Sequence, residues 1–160
     1  MERLASFETH LFQAQRLAIR ATQQCNVLLQ HLQQGIVHYD PAGRVVLLSD
    51  EACRQFGLVL PAARWYGLSA LELAQLVRGQ LADPDSFAVT TDQLWAQCQQ
   101  PGTELKLTNG CVLTRDVQPV QTEAGTAFLV SYRDVTASRR ARWAADCPNC
   151  PPTVSGALGA

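Results

Sequence analysis

The sequence has little net charge, few histidines and no long hydrophobic run, and each shortage excludes a class of protein. Its 160 residues include 13 Lys and Arg against 14 Asp and Glu, a formal net charge of −1. This balance argues against a general nucleic-acid binder, which needs an excess of cationic side chains. No apolar run approaches the roughly 20 residues of a membrane span, and residues 1–10 lack a signal-peptide layout. We therefore expect a soluble, cytoplasmic protein.

Motifs for catalysis and metal binding are also missing from the sequence. It contains no Gly-x-Ser-x-Gly, no phosphate-binding glycine loop and no metal-binding histidine pair. Four of the six cysteines lie in patterned segments, where a free cysteine behaves as a small apolar residue. Cys147 and Cys150 form one Cys-x-x-Cys in the tail, which supplies two ligands where zinc normally needs four. We predict no catalytic residue, no metal site and no cofactor.

The first 34 residues have the most regular hydrophobic pattern. Apolar residues recur there in alternating steps of three and four, which is typical of the a and d positions of a coiled coil. Such a helix would be about 45–50 Å long, at 1.5 Å per residue. It could pair two copies of the chain or pack against its own domain, and we favour homodimerisation. The predicted dimer seam consists of Leu4, Phe7, Leu11, Ala14, Ala18, Ala21, Cys25, Leu28 and Leu32.

After Gly35, which we expect to end this helix, the period changes to that of strands and short helices. Two strands form a hairpin, several helices follow, and three further strands precede a charged helix. This order predicts an α+β fold with one five-stranded antiparallel sheet and helices on one face. The predicted strands are 36–39, 44–48, 103–108, 111–122 and 126–132, and the main helices between them are 69–81 and 85–99. The predicted units are a dimerisation helix at 1–34, a sensor domain at 35–136, an output helix at 137–146 and a disordered tail at 147–160.

Three segments together resemble a PAS domain. LLQHLQQGIVHYDPAGRVVLLSDEACRQFGL is similar to the family's opening helix, strand, Asp-x-x-Gly turn, strand and short helix. TNGCVLTRDVQPV resembles its central hairpin, and YRDVTASRRAR resembles its closing Asp-x-Thr and basic helix. The resemblance covers residues 29–142, with Ser49 where many members have Asn. It implies a non-catalytic sensory or dimerisation module of bacterial signalling proteins, often joined to histidine kinases or cyclases.

The closing motif is the predicted signal-coupling group, and it consists of Arg133, Asp134 and Thr136. The resemblance implies that sheet distortion passes to an output helix at this point. The oxygens of Asp134 and Thr136 can accept hydrogen bonds from the first N–H groups of that helix, and Asp134 can pair with a nearby arginine. The alternative is an ordinary helix cap with no role in signalling.

A small-molecule pocket between the sheet and the helix at 69–81 is a further hypothesis, and a filled core is its alternative. Arg115 or Asp116 pointing inward would be a buried charge that needs a ligand or a partner. The helix at 69–81 lacks the histidine of the family's haem-binding branch. Cys53 lies in the wrong helix for the branch that forms a flavin adduct. The predicted lining residues are Leu73, Leu76, Val77, Leu113, Arg115 and Val130.

The leading functional prediction is a cytoplasmic signal-sensing module in a bacterial two-component-type pathway. It would form a homodimer through its N-terminal helix and act on a downstream signalling domain or partner protein. One alternative is a small α+β enzyme with a conical pocket, in which Asp116 and Tyr132 are acid and base. The other is a protein-interaction adaptor that docks through its basic C-terminal helix and tail.

Overall fold

Five strands form one antiparallel sheet in the computed structural model, which describes residues 2–146. The strands lie in the order β2-β1-β5-β4-β3, so the predicted α+β fold with a five-stranded sheet is confirmed. The tail with Cys147 and Cys150 lies outside the described residues. In chain order the elements are α1 (Glu2–His31), β1 (Gln34–Tyr39), β2 (Val45–Leu48), α2 (Asp50–Gln55), α3 (Ala70–Val77), α4 (Thr91–Cys98), β3 (Thr103–Lys106), β4 (Val112–Thr122), β5 (Gly125–Asp134) and α5 (Thr136–Asp146).

The first helix ends earlier than predicted, and Gly35 does not end it. The helix stops at His31, and Gln33 makes the turn with a positive φ of 49°. Gly35 is instead the second residue of β1. A Cβ atom there would collide with Gln55 Oε1 and lie 3.0 Å from the Cα of Ala52. The glycine therefore allows α2 to pack closely against the first strand.

Side-chain caps determine where the short helices begin. Ser49 Oγ accepts hydrogen bonds from Ala52 N at 3.2 Å and from the β1 backbone, so it caps α2 and ties it to the sheet. Ser69 and Glu72 form a capping box at the start of α3. The predicted helix at 85–99 is shorter, because Thr90 caps α4 and starts it at the next residue. The preceding residues form only a short 3-10 turn, Pro84–Ser86.

The core lies between one face of the sheet and helices α2, α3 and α4. Alternation along β4 sends Leu113, Arg115 and Val117 to this inner face, and β5 adds Val130 and Tyr132. All five side chains are at most 6% exposed. Full burial of one leucine or valine side chain stabilises a fold by about 1.5–3 kcal/mol. Arg115 is the exception in this row, because burial of a charged group costs free energy.

Candidate functional site

Arg115 is the one charged side chain in the buried class among the described residues, at 6% exposure. Its Nη1 donates to the carbonyl oxygen of Ser86 at 2.6 Å, and its Nη2 donates to Thr103 Oγ1 at 3.4 Å. Its Nε has no hydrogen-bond partner in the protein. The ion pairs found in the described part of the chain do not include this guanidinium. A buried cation without a counter-charge is expensive, so this position is the most distinctive feature of the interior.

A cluster of aromatic rings includes Tyr132, the residue paired with Arg115 across β4 and β5. The Phe56 ring meets Phe87 and Tyr132 edge-on, at centroid distances of 5.7 and 4.9 Å. Phe87 and Tyr132 are parallel, at 6.4 Å. Burial raises the pKa of both Tyr39 and Tyr132, and the charge of Arg115 partly opposes each shift. Both phenols are protonated at neutral pH, as an ordinary tyrosine also is, and can donate hydrogen bonds.

Five of the six predicted lining residues lie together in this interior, and the sixth does not. Leu76 is 46% exposed, so it lies outside the interior. The reason is that the buried stripe of α3 runs through Ala70, Leu73, Ala74 and Val77. Leu73, Val77, Leu113 and Val130 belong to one buried core cluster, and Arg115 is buried on the same face of β4 as Leu113.

A surface cleft of about 330 Å³ opens beside the interior, between α3 and α4. Arg78 and Gln93 line it, together with Asp85 of the 3-10 turn. Phe87 also lines the cleft, although its ring packs in the aromatic cluster. This one side chain therefore contacts both the cleft and the aromatic cluster.

The acid–base pair of the enzyme alternative does not assemble. Arg115 is paired with Tyr132 across β4 and β5, whereas Asp116 is paired with Ser131. Because side chains alternate along a strand, Asp116 and Tyr132 lie on opposite faces of the sheet. Asp116 Oδ1 accepts a hydrogen bond from Gly102 N at 2.6 Å instead. That arrangement of acid and base is wrong.

The junction between β5 and α5 is held by a compact set of hydrogen bonds. Thr136 Oγ1 accepts from Val112 N at 2.9 Å and contacts Asp134 Oδ1 at 2.5 Å. Asp134 Oδ1 also accepts from Thr136 N at 2.8 Å. Val135 N donates to the carbonyl oxygen of Val112 at 2.9 Å. The first residue of β4 is thus tied by two hydrogen bonds to the start of the C-terminal helix.

A second link joins α5 to the edge of the sheet. Arg139 forms an ion pair with Glu104 of β3, and a cleft of about 710 Å³ lies alongside them. The expected ion pair of Asp134 with an arginine does not occur among the pairs of the described region. Arg133 is exposed, and its carbonyl oxygen accepts from Thr114 Oγ1 at 3.5 Å. Its contribution to the junction is therefore through the backbone.

The predicted dimer seam lies on an exposed face of α1. Leu11 and Leu28 are 57% and 64% exposed, and Leu32, at 58%, lies just beyond the end of the helix at His31. Ala14, Ala18, Ala21 and Cys25 are also exposed, whereas the side chains of Leu4 and Phe7 lie outside the described part. Phe12 and Ile19 form a further exposed apolar pair that the sequence reasoning missed. Each of these two residues directly follows a seam residue, Leu11 or Ala18, and they are seven residues apart. This heptad spacing was the sequence signal that could have identified them.

Within residues 2–146, no helix is both long and apolar enough to cross a membrane. Within the same range, no three His, Cys, Asp or Glu side chains are grouped so that they could hold a metal ion.

Comparison with protein families assigns the chain to one of them. A family model described as the PAS fold matches residues 29–140, well over half of the chain. The chain belongs to the PAS family. The resemblance identified in the sequence is thereby confirmed, and PAS domains are typically sensory modules. A search of curated proteins finds no match.

Several solved structures are similar to this PAS chain at low sequence identity. The PAS domain of nitrogen regulation protein NR(II) from Vibrio parahaemolyticus is 16% identical, with a TM-score of 0.42, and the match covers 68% of this chain and 95% of that one. A PAS domain from a two-component sensor histidine kinase is 8% identical, with a TM-score of 0.46 and coverages of 73% and 98%. A chain of the E. coli DhaR(N)–DhaL complex is 17% identical, with a TM-score of 0.45, and the match covers 74% of this chain and 38% of that one. This chain thus spans less than half of that last protein, and the family assignment rests on the family model.

Proposed function

We propose that this PAS chain is a homodimeric signal-sensing module in which a change in the interior reaches α5 through Asp134 and Thr136. The observation that carries the proposal is the pair of hydrogen bonds between the Val112 backbone and the start of α5. The output would be a downstream signalling domain or partner protein in a cytoplasmic, bacterial two-component-type pathway. The module itself would catalyse no reaction.

The coupling follows from the position of Val112 at the start of β4. The next inner-face residues of that strand, Leu113 and Arg115, are buried in the core. A displacement of β4 relative to β5 would therefore change the distance from Val112 to Thr136 and weaken the first turn of α5. The side chains of α5 from residue 137 onward are exposed. Its order thus depends strongly on this junction and on the ion pair between Arg139 and Glu104.

Homodimerisation is proposed from the exposed seam of α1. A 30-residue helix with a row of exposed leucines is only marginally stable in water by itself, because helices gain most of their stability from tertiary packing. The a/d spacing makes the seam complementary to an identical seam, so the occupant we propose is a second copy of the chain. Burial of each seam leucine would then contribute up to about 1.5–3 kcal/mol.

Two neighbouring exposed residues provide a matched test of this interface. Leu28 lies on the seam at 64% exposure, and Val27 lies off it at 53% exposure. We expect the full chain to sediment as a dimer under reducing conditions, Leu28→Glu to be monomeric, and Val27→Glu to remain dimeric. Analytical ultracentrifugation distinguishes these outcomes. A monomeric wild-type chain, or a dimer that survives Leu28→Glu, would refute the α1 interface.

A further inference from the structure

We propose that the cleft between α5 and the edge strand β3 docks a short acidic segment of a partner protein that also carries an apolar side chain. The inference rests on the proposed function, in which α5 acts on a partner, and it names the chemistry of that partner. The cleft has a volume of about 710 Å³. It lies on the outer face of the sheet, because its lining residues Glu104 and Lys106 alternate with Leu105, which is buried in the core.

Positive charge is concentrated in this cleft. Four of the chain's 13 lysine and arginine residues line it, against two of its 14 acidic residues. The lining therefore carries a net charge of +2, in a chain whose formal net charge is −1. Glu104 is already paired with Arg139, and neither ion pair of the described residues includes Lys106, Arg140 or Arg142. These three cations are available to the carboxylates of a partner.

An exposed tryptophan provides the apolar part of the surface. Trp143 lines the cleft and is 80% exposed, the largest fraction among the exposed large apolar side chains of the described residues. Tryptophan and arginine are both enriched among the side chains that dominate the binding energy of protein interfaces. The lining combines this tryptophan with three arginines. A partner that buries the indole ring and pairs with the surrounding cations would match both features.

The exposure of α5 indicates that a partner covers it. All of its side chains from residue 137 to residue 146 are exposed, and the helix has only 11 residues. Helices of this length are marginal in water by themselves, because most helical stability comes from tertiary packing. The hydrogen bond at Thr136 and the ion pair at Arg139 hold the first turn. Contacts of a partner with Trp143 would hold the later turns.

The lining of the cleft favours a protein segment over a lipid surface. Along α5 it runs from Thr136 to Asp146, a length of about 15 Å at 1.5 Å per residue, which matches about four or five residues of extended chain. Glu104 and Asp146 lie among the cations. A uniformly anionic membrane would repel these two carboxylates, whereas a peptide can place its own carboxylates beside the cations alone.

Fluorescence anisotropy of defined peptides with the full chain tests the inference. The probes are the fluorescein-labelled peptide Glu-Glu-Leu-Leu-Glu-Glu and two counterparts, one with glutamine in place of glutamate and one with serine in place of leucine. We expect the first peptide to bind at least about tenfold more tightly than either counterpart, because each counterpart lacks one of the two recognised features. Its Kd should rise at least about tenfold between about 0.05 M and 0.5 M NaCl, because salt screens exposed charges.

Matched variants locate the binding on the chain. Arg142→Glu should weaken binding of the acidic peptide at least about tenfold. Arg64→Glu makes the same change of charge at an exposed arginine outside the cleft, and it should alter the Kd by less than about twofold. Trp143→Ala should weaken binding about thirtyfold, whereas Tyr66→Ala, at an exposed ring outside the cleft, should have no effect.

Two sets of results would overturn the inference. One is an acidic peptide that binds no more tightly than its counterparts, or that Arg142→Glu and Arg64→Glu weaken equally. The other comes from co-sedimentation with phosphatidylglycerol vesicles. If the chain binds the vesicles through Trp143 and does not bind the peptide, the cleft is a lipid-binding surface.

Hydrogen exchange in α5 separates this inference from the proposed function. If Thr136→Val leaves exchange in α5 unchanged while the acidic peptide still binds, the coupling is wrong and the docking surface stands. If Thr136→Val accelerates exchange in α5 while the wild-type chain does not bind the peptide, the docking surface is wrong and the coupling stands.

Discussion

Replacement of Thr136 by valine removes the hydroxyl that joins α5 to β4 while it preserves the shape of the side chain. The variant loses the hydrogen bond from Val112 N at 2.9 Å and the contact with Asp134 at 2.5 Å. One net hydrogen bond contributes about 0.5–1.5 kcal/mol, and a donor left unsatisfied adds a desolvation cost. Because Val112 is only half-buried, we expect a total loss of about 1–2 kcal/mol, confined to the junction.

Hydrogen exchange measured on the full chain is the assay for this change. A loss of 1–2 kcal/mol corresponds to about a 5–30-fold rise in the open population, so exchange over residues 136–146 should rise by that factor. Thr126→Val is the control, because Thr126 lies at the end of β5 far from the junction. Its hydroxyl donates a hydrogen bond to the exposed side chain of Gln121 on β4. The reasoning is refuted if α5 exchanges at the wild-type rate in Thr136→Val, or if the control accelerates α5 equally.

Three further predictions concern packing, pH and thiol reactivity. Gly35→Ala should destabilise the chain by about 1–3 kcal/mol in urea unfolding through overpacking, whereas Gly79→Ala, whose Cβ would meet nothing within 4 Å, should be neutral. Hydrogen bonds from Ser69 lower the pKa of Glu72 in the folded chain. The stabilisation from these bonds is therefore complete above about pH 4.3, the pKa of an unfolded glutamate, and is lost as the pH falls through the lower pKa of the folded chain. In thermal unfolding, Glu72→Gln should reduce the loss of stability at acid pH, and an unchanged loss would contradict the assignment. Burial raises the pKa of the Cys53 thiol to about 11, whereas Cys25 is exposed. Alkylation of the native chain near pH 8 should therefore modify Cys25 and leave Cys53 unmodified, as measured by mass spectrometry. Equal modification of the two cysteines would refute the burial of Cys53.

Much of the fold could be predicted because its signals are local. The capping box at Ser69 and Glu72 and the cap at Ser49 act within one helical turn, so sequence spacing reveals them. The role of Gly35 could not be predicted in this way. Its requirement comes from the close approach of Ala52 on another element, and only the folded chain brings these two residues together.

The site was predictable in part for a related reason. Alternation along β4 implied that either Arg115 or Asp116 faces the interior, but the choice depends on register with β5. The register also determines that Asp116 and Tyr132 lie on opposite faces, which the sequence pattern alone could not show. Leu76 was wrongly predicted to line the interior. The buried stripe of α3 includes two alanines, Ala70 and Ala74, whereas hydrophobicity alone favoured the leucines.

The most direct test of coupling between the interior and α5 compares two leucine-to-valine substitutions in hydrogen exchange. Leu113 is paired with Asp134 at the junction, whereas Leu48 lies on the opposite edge strand, and both are 1% exposed. Each substitution removes one methylene and should cost about 1 kcal/mol. Our account predicts that Leu113→Val accelerates exchange in α5 more than Leu48→Val, and that it adds nothing further when Thr136→Val is already present. Equal acceleration by the two substitutions, or a fully additive effect with Thr136→Val, would contradict it.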